Sequence, residues 1–392
     1  MSADCPSAVF LACQQFILSL LCGCRCCGLQ MMESKKKVVI ACGGTGGHLF
    51  PGVAVAQEMK RRGHSVRLLI SEKKVDAQAS EKYGELEFDT VPAIAKPATL
   101  SLKMLPFLWK LLKTTAKCKG LLRKFEADAV IGMGGFTSLP PVMAGKKLGA
   151  KTFVHDSNAL PGKANRLTAK WCDKVLLGMK EAGSYFPQSE IEVTGTPVRE
   201  ELHSLPAREA AAEKLGLDPS LKTVLVMGGS QGARQLNSLV VEASKAMPDI
   251  QFIHITGNLD YDRVKSEMGE HCPNHKLVAF CDDMASIYAV TDLAIMRSGA
   301  SSLSEISYLG IASILVPYPY AADDHQTKNA EVFEIANAAV LRQESELDAG
   351  VLVADVTQLF AESENLKRMS AASAALGVKD AATRVCTVIE SL

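Results

Sequence analysis

Twice along this chain a short apolar run empties into glycines and restarts as a helix, and that repeated junction limits the folds open to it. The first run, Val38-Val39-Ile40-Ala41, leads into Cys42-Gly43-Gly44-Thr45-Gly46-Gly47-His48-Leu49-Phe50-Pro51 and a helix-like segment from Val53 to Arg62. The second, Thr223 to Met227, leads into Gly228-Gly229-Ser230-Gln231-Gly232-Ala233-Arg234 and another helix. A strand, a glycine turn and a helix start aim backbone N–H groups at an anion, and glycine lets a ligand approach the backbone closely. The first turn is not a dinucleotide fingerprint, because Leu49 stands where that pattern needs a third Gly. No Gly-Lys-Ser/Thr closes it as a Walker loop would be closed. His48 adds chemistry, since an imidazole beside a phosphate-type loop can accept a proton near neutral pH.

Between and after the two junctions, strand and helix patterns alternate. Strands are expected at Ser65 to Ile70, Glu87 to Val91, Asp128 to Met133, Lys151 to His155 and Lys174 to Leu177. After Gly195-Thr196-Pro197-Val198-Arg199 the pattern restarts, with further strands at Ile250 to Thr256, Lys276 to Phe280, Leu293 to Met296 and Ser313 to Val316. Apolar strands separated by helices predict parallel sheets covered on both faces. A chain of 392 residues has room for two such domains. The expected fold is therefore α/β, with two Rossmann-like doubly wound domains. Ligands of such sheets bind at the carboxyl ends of the strands, which puts both glycine turns around a shared cleft.

Lys+Arg and Asp+Glu balance at 43 each, which removes any global electrostatic case for nucleic acid. An anionic partner must be met by a local patch, and Leu100 to Phe125 is the candidate. It mixes Leu105, Phe107, Leu108, Trp109, Leu111 and Leu112 with Lys103, Lys110, Lys113, Lys117, Lys119, Arg123 and Lys124. It reads either as an amphipathic helix on the sheet with solvated lysines, or as a surface resting on anionic lipid. Half of the 12 cysteines fall within the first 27 residues and the rest are scattered singly, a usage that fits reduced thiols packed as small hydrophobes. Residues 1–32 read as an extension: a disordered or membrane-touching tail, a divergent signal, or a stretch preceding a true start at Met31 or Met32, with the first and last favoured. Their apolar stretch is too short to span a bilayer.

The motifs, in order, resemble the MurG family of bacterial N-acetylglucosaminyltransferases. The resemblance rests on Gly43-Gly44-Thr45-Gly46-Gly47-His48, Gly132-Met133-Gly134-Gly135-Phe136, His155-Asp156-Ser157-Asn158, Gly195-Thr196-Pro197-Val198-Arg199, the Gly228 to Arg234 turn, Arg297-Ser298-Gly299-Ala300 with Ser304-Glu305, and Asp323-Asp324-His325-Gln326-Thr327-Lys328-Asn329-Ala330. It runs from about Lys36 to the C-terminus. It implies a GT-B fold, with an acceptor and membrane-side domain over 33–198, a UDP-sugar domain over 199–376, and a C-terminal helix at about 377–392 packing back on the first. It implies inverting transfer of N-acetylglucosamine from UDP-N-acetylglucosamine to the C4 hydroxyl of the N-acetylmuramoyl unit of lipid I, giving lipid II. The site would lie peripherally on the cytoplasmic face of the bacterial cell membrane.

Residue by residue, the resemblance places Thr45, Gly46, Gly47, Asn158, Arg199, Ser230 and Gln326 around the donor. Cys281 falls where the family packs the uracil through its backbone. Ala300, Ser301, Ser302, Leu303, Ser304 and Glu305 match the segment that meets the diphosphate and ribose, and a carboxylate at Glu305 suits a vicinal diol. Asp156-Ser157 stand where Glu-Gln is common, and Phe136 where Tyr is common. The shorter carboxylate and the missing hydroxyl both bear on the acceptor side.

The developing charge on UDP needs a partner. The only Asp-x-Asp, Asp260-Tyr261-Asp262, opens a helix and reads as a helix N-terminal charge pair rather than a metal-ligand set. The helix start at Ser298 to Ser302 is the expected substitute, with no metal and no cofactor. His48 is the first choice of base and Asp156 the second. His64, His254, His271 and His275 show no partner spacing and read as surface or packing residues, and His155 as a structural hydrogen-bonder. Two other readings stay open: transfer to a different lipid-linked acceptor, and a UDP-sugar-binding protein without catalysis.

Overall fold

A computed structural model describes residues 35–72, 81–93, 104–228, 233–269 and 274–391. The expected N-terminal extension, His271 and Ser230 lie outside the described residues. Lys36–Leu392 form one compact unit.

The first sheet contains β1 (Lys37–Ala41), β2 (Ser65–Ser71), β3 (Phe88–Val91), β4 (Ala129–Gly132), β5 (Lys151–Asp156), β6 (Lys174–Leu177) and β7 (Ile191–Val193), ordered β3-β2-β1-β4-β5-β6-β7. The second contains β8 (Lys222–Met227), β9 (Ile250–Ile255), β10 (His275–Val278), β11 (Leu293–Met296), β12 (Ala312–Leu315) and β13 (Ala339–Leu341), ordered β10-β9-β8-β11-β12-β13. All pairings are parallel. The central strands are apolar throughout: β4 and β11 are buried at all four positions, as helices on both faces require. The edge strands β7 and β13 are absent from the expected set. Each has three residues, too few to show a period, and Ile191 and Val193 of β7 are exposed.

The helices are α1 (Gly46–Arg61), α2 (Met104–Phe125), α3 (Leu139–Leu148), α4 (Lys163–Thr168), α5 (Arg208–Leu215), α6 (Arg234–Ser244), α7 (Tyr261–Met268), α8 (Met284–Val290), α9 (Ala300–Leu309), α10 (His325–Ile335), α11 (Ala349–Ala361), α12 (Ser363–Leu376) and α13 (Ala381–Ser391). Helix α1 begins at Gly46, seven residues before the expected start at Val53, and carries Pro51 inside. Pro51 has no N–H for the Gly47 carbonyl, so the opening of α1 is held less tightly than its apolar remainder.

Helix α13 returns to the first sheet. Val385, Cys386, Val388 and Ile389 sit in one core with Ile40, Met59 and Phe153. The two stretches that join the sheet domains touch. Gly195 has φ +75, and a Cβ there would lie 2.4 Å from Cβ of Val378. Only glycine fits this crossing, which explains the Gly195-Thr196-Pro197 motif.

Candidate active site

The strand order reverses between β1 and β4 in the first sheet and between β8 and β11 in the second. Each reversal opens a crevice at the carboxyl ends of the strands. The segments emerging there line one cleft of about 920 Å³, with Thr45 to His48, Gly135 and Phe136 on one side and Gly299 to Ser302 on the other.

On the first wall, Thr45 precedes α1, and its carbonyl accepts from the N–H groups of His48 at 3.1 Å and Leu49 at 3.0 Å. Its Oγ1 lies 3.2 Å from Nδ1 of His48. The imidazole rests on the loop after β4. A Cβ on Gly134 would fall 2.6 Å from His48 Cδ2, and one on Gly135 would fall 3.2 Å from Cε1. The two glycines hold the ring in place by having no side chains.

On the second wall, Gly299 caps α9, and Ala300, Ser301 and Ser302 form its first turn at the cleft. N–H groups of a first turn have no partner inside the helix, and the helix dipole adds positive charge there. A Cβ on Gly47 would lie 4.0 Å from Cβ of Ser301. Two helix N-termini, one from each sheet, thus face each other across the cleft. Leu303 turns into the core of the second domain, and Ser304 donates its hydroxyl to the Ala300 carbonyl at 2.8 Å. Those two support the turn from behind.

Arg199 and Glu305, both buried, form the cleft floor. Glu305 Oε1 accepts from Arg199 Nε at 2.9 Å and pairs with Nη2 at 2.8 Å. Oε2 accepts from the Tyr288 hydroxyl at 2.7 Å. A carboxylate offers about four lone-pair sites, so one remains for a ribose hydroxyl while Arg199 and Tyr288 stay. Burial works against the Arg199 charge, but Glu305 together with Tyr288, Glu201 and Tyr83 outweighs it and the guanidinium pKa rises. Burial, reinforced by the Glu305 charge, pushes the Tyr288 phenol well above its ordinary value. The guanidinium also covers the Phe50 ring at 4.7 Å.

Asp156 is buried at the end of β5 and accepts four hydrogen bonds from its own neighbourhood: Asn158 N, Asn158 Nδ2, Gly162 N and Asn165 Nδ2, between 2.8 and 3.2 Å. Burial still raises its pKa, outweighing these donors. The arrangement organises the 156–165 turn and orients Asn158. Asn158 Oδ1 accepts from Asn329 Nδ2 at 3.1 Å, which also donates to Ser298 O at 3.0 Å. Asn329 Oδ1 accepts from Ala159 N at 2.8 Å. One buried asparagine on α10 thereby joins the loop carrying Asn158 to the segment before α9. Sequence reasoning quoted Asn329 within a motif but gave it no role. It missed Asn165 and Tyr288, whose surroundings bear no mark of them.

Cys281 lines the cleft, with its thiol pKa raised by burial. Gln326 is not among the residues that line the cleft. Its Oε1 accepts from Tyr318 N at 3.0 Å and its carbonyl accepts from Ser298 Oγ at 2.8 Å, so it braces the segment before α9. His155 Nε2 donates to the Gly195 carbonyl at 2.9 Å, and burial lowers its pKa to about 4. Asp260 precedes α7 and is held by Arg263 and Asn237. His254 and His275, which show no partner spacing in the sequence, are 3.1 Å apart on adjacent strands.

The residue ranges 38–177 and 223–385 match the glycosyltransferase family 28 N-terminal and C-terminal domains. The chain is 35% identical over 365 residues to the UDP-N-acetylglucosamine--N-acetylmuramyl-(pentapeptide) pyrophosphoryl-undecaprenol N-acetylglucosamine transferase of Halalkalibacterium halodurans, covering 91% of this chain and 99% of that one. It is 38% identical to the enzyme of that name from Desulfotalea psychrophila, covering 91% and 97%. Among solved structures, Acinetobacter baumannii MurG superposes with a TM-score of 0.71 at 26% identity, covering 91% of this chain and all of that one. With its two parallel-sheet domains and its motifs gathered in one cleft, the chain belongs to glycosyltransferase family 28 and, within it, to the MurG family of N-acetylglucosaminyltransferases.

Proposed function

We propose that this enzyme transfers N-acetylglucosamine from UDP-N-acetylglucosamine to the C4 hydroxyl of the N-acetylmuramoyl sugar of lipid I, with inversion at the anomeric carbon, forming lipid II. The observation that carries the reading is the meeting of His48 and the α9 N-terminus in one cleft. The C4 oxygen attacks the anomeric carbon, the bond to the β-phosphate oxygen breaks, and UDP departs. The first-turn N–H groups of α9 face the diphosphate and stabilise its growing charge, a preorganised electrostatic contribution. With its Nδ1 proton directed at Thr45 Oγ1, His48 takes the hydroxyl proton on Nε2. Asp156 holds the turn that presents Asn158 to the donor sugar, and Glu305 takes one ribose hydroxyl. Residues 33–198 serve the acceptor and 199–376 the donor.

The acceptor lipid brings the enzyme to a membrane surface. No helix among the described residues is long and apolar enough to cross a bilayer. Helix α2 suits an interface instead: Leu105, Leu108, Trp109 and Leu112 are exposed, and the helix carries six Lys and Arg with no acid. Basic residues beside Leu and Trp favour an anionic bilayer. On this reading the enzyme is peripheral at the cytoplasmic membrane face.

The test is turnover with UDP-N-acetylglucosamine and a soluble lipid I analogue, with and without chelator. A disaccharide product together with UDP is expected in both. UDP released without a disaccharide would remove the acceptor assignment, and nucleotide binding without any turnover would leave only a binding protein.

A further inference from the structure

Helix α2 has two sides with different surroundings. Leu105 and Trp109, 74% and 66% exposed, stand outward with Leu108 and Leu112. Phe107, between them in sequence, turns inward and is buried. Its ring meets Phe136 edge-on, with centroids 6.0 Å apart and planes at 90°. Phe136 lines the cleft. It belongs to the loop between β4 and α3 whose Gly134 and Gly135 carry the His48 ring. The same loop is tied to the glycine turn before α1, because Thr137 Oγ1 donates to the Gly43 carbonyl at 2.6 Å. One short loop therefore touches both the outward-facing helix and the imidazole.

The geometry points to Phe107 as a positioning residue that couples lipid contact at α2 to the setting of His48. This rests on the membrane reading above. Seating Leu105, Leu108, Trp109 and Leu112 in a bilayer fixes the rotation of α2 about its axis. That rotation sets where the Phe107 ring presses on Phe136, and Phe136 moves with the backbone under His48. Packed cores respond to such shifts by switching between discrete arrangements rather than by smooth deformation. Phe107 touches no reacting atom, so its effect passes through Phe136 to turnover, not to donor binding.

The experiment uses the full chain, UDP-N-acetylglucosamine and a short-chain acceptor analogue that stays in water. Vesicles of phosphatidylcholine alone are compared with vesicles containing phosphatidylglycerol. Vesicle binding is followed separately by co-sedimentation. Anionic vesicles are expected to raise kcat of the unaltered enzyme by roughly fivefold, the low end for coupling between two sites, with donor KM unchanged. Phe107→Leu should sediment normally and keep the vesicle-free rate but lose the rise. Phe107→Tyr, which keeps the ring, should retain it. Sedimentation of the unaltered enzyme with a flat kcat overturns the coupling, as does a rise that survives in Phe107→Leu. Failure to sediment with anionic vesicles overturns the membrane reading itself, and the coupling with it.

Discussion

Arg199 Nε donates to Glu305 Oε1 at 2.9 Å at the floor of the cleft, joining the stretch that enters the second domain to the helix whose first turn lines the cleft. Neither charge is tolerable there alone. Glu305→Ala removes the close partner of a buried guanidinium and leaves it only Glu201 at 3.8 Å, a loss approaching about 3–5 kcal/mol, and a marked fall in Tm is expected. Glu305→Gln also removes the counter-charge but keeps the side chain's size and one acceptor oxygen for Arg199, with its amide N–H₂ toward the Tyr288 oxygen, so a smaller fall in Tm is expected. The donor KM should rise roughly tenfold, since a hydrogen bond to a charged group contributes about 1.5–3 kcal/mol. Steady-state kinetics with each substrate varied decides it; a change confined to the acceptor would displace the ribose assignment.

His48 and Asp156 were both expected as bases, and their surroundings separate them. His48 Nδ1 meets the Thr45 hydroxyl at the cleft wall, whereas Asp156 is wrapped by four donors from its own turn. His48→Ala is expected to lower kcat by roughly 10²–10⁴ with little change in Tm. Asp156→Asn sets an amide N–H₂ against donors it cannot accept from. It should lower Tm and raise the donor KM together, through Asn158. A kcat loss at Asp156→Asn with unchanged Tm and donor KM would exchange the two roles.

The two sheets were legible because buried parallel strands are apolar runs, and the first glycine turn marked a wall of the cleft, whereas residues 229–232 of the second lie outside the described residues. Residues that act through long-range contacts were not legible. Tyr288 on α8 reaches Glu305 only because both helices pack in one core. Asn329 matters because α10 lies against Ala159, far away in sequence. The His254–His275 pair is a product of β9–β10 register, where His254 lies opposite Leu277. No spacing rule finds such a pair before the strands are aligned. Leu303 and Ser304 fell within a matched segment, but helix geometry turns only part of that segment toward the cleft.

Three buried histidines make stability depend on acid. Burial lowers His155 and His275 to about 4, and burial with the neighbouring His275 lowers His254 to about 3. Unfolded, each titrates near 6.5. Between pH 6.5 and 4 the unfolded chain therefore binds more protons than the folded one. Stability is fully present above about pH 6.5 and falls as pH drops, by at most about 1.4 kcal/mol per unit for each histidine. Urea midpoints at pH 7 and pH 5 should differ accordingly. His275→Gln, which can still bond Ser244, should flatten the dependence by about a third. An unchanged slope would mean that His275 binds protons equally in the folded and unfolded chains.

Gly134 gives a sharper test of the imidazole's position than removing the imidazole. Its φ is +129, and a Cβ there would overlap His48 at 2.6 Å from Cδ2 and 2.7 Å from Nε2. Gly134→Ala therefore brings backbone strain of about 1–3 kcal/mol and forces the ring aside. Gly63 separates the two effects: its φ is +89 with nothing within 4 Å of an added Cβ. Gly63→Ala should lose stability with kcat intact. Gly134→Ala should lose kcat nearly as far as His48→Ala, while the donor KM, set largely on the opposite wall, changes little. Combining Gly134→Ala with His48→Ala should add almost nothing to the loss from His48→Ala alone, because residues acting as one unit are not additive. Full additivity in that double-mutant cycle would mean that the loop after β4 serves turnover by a route that bypasses His48.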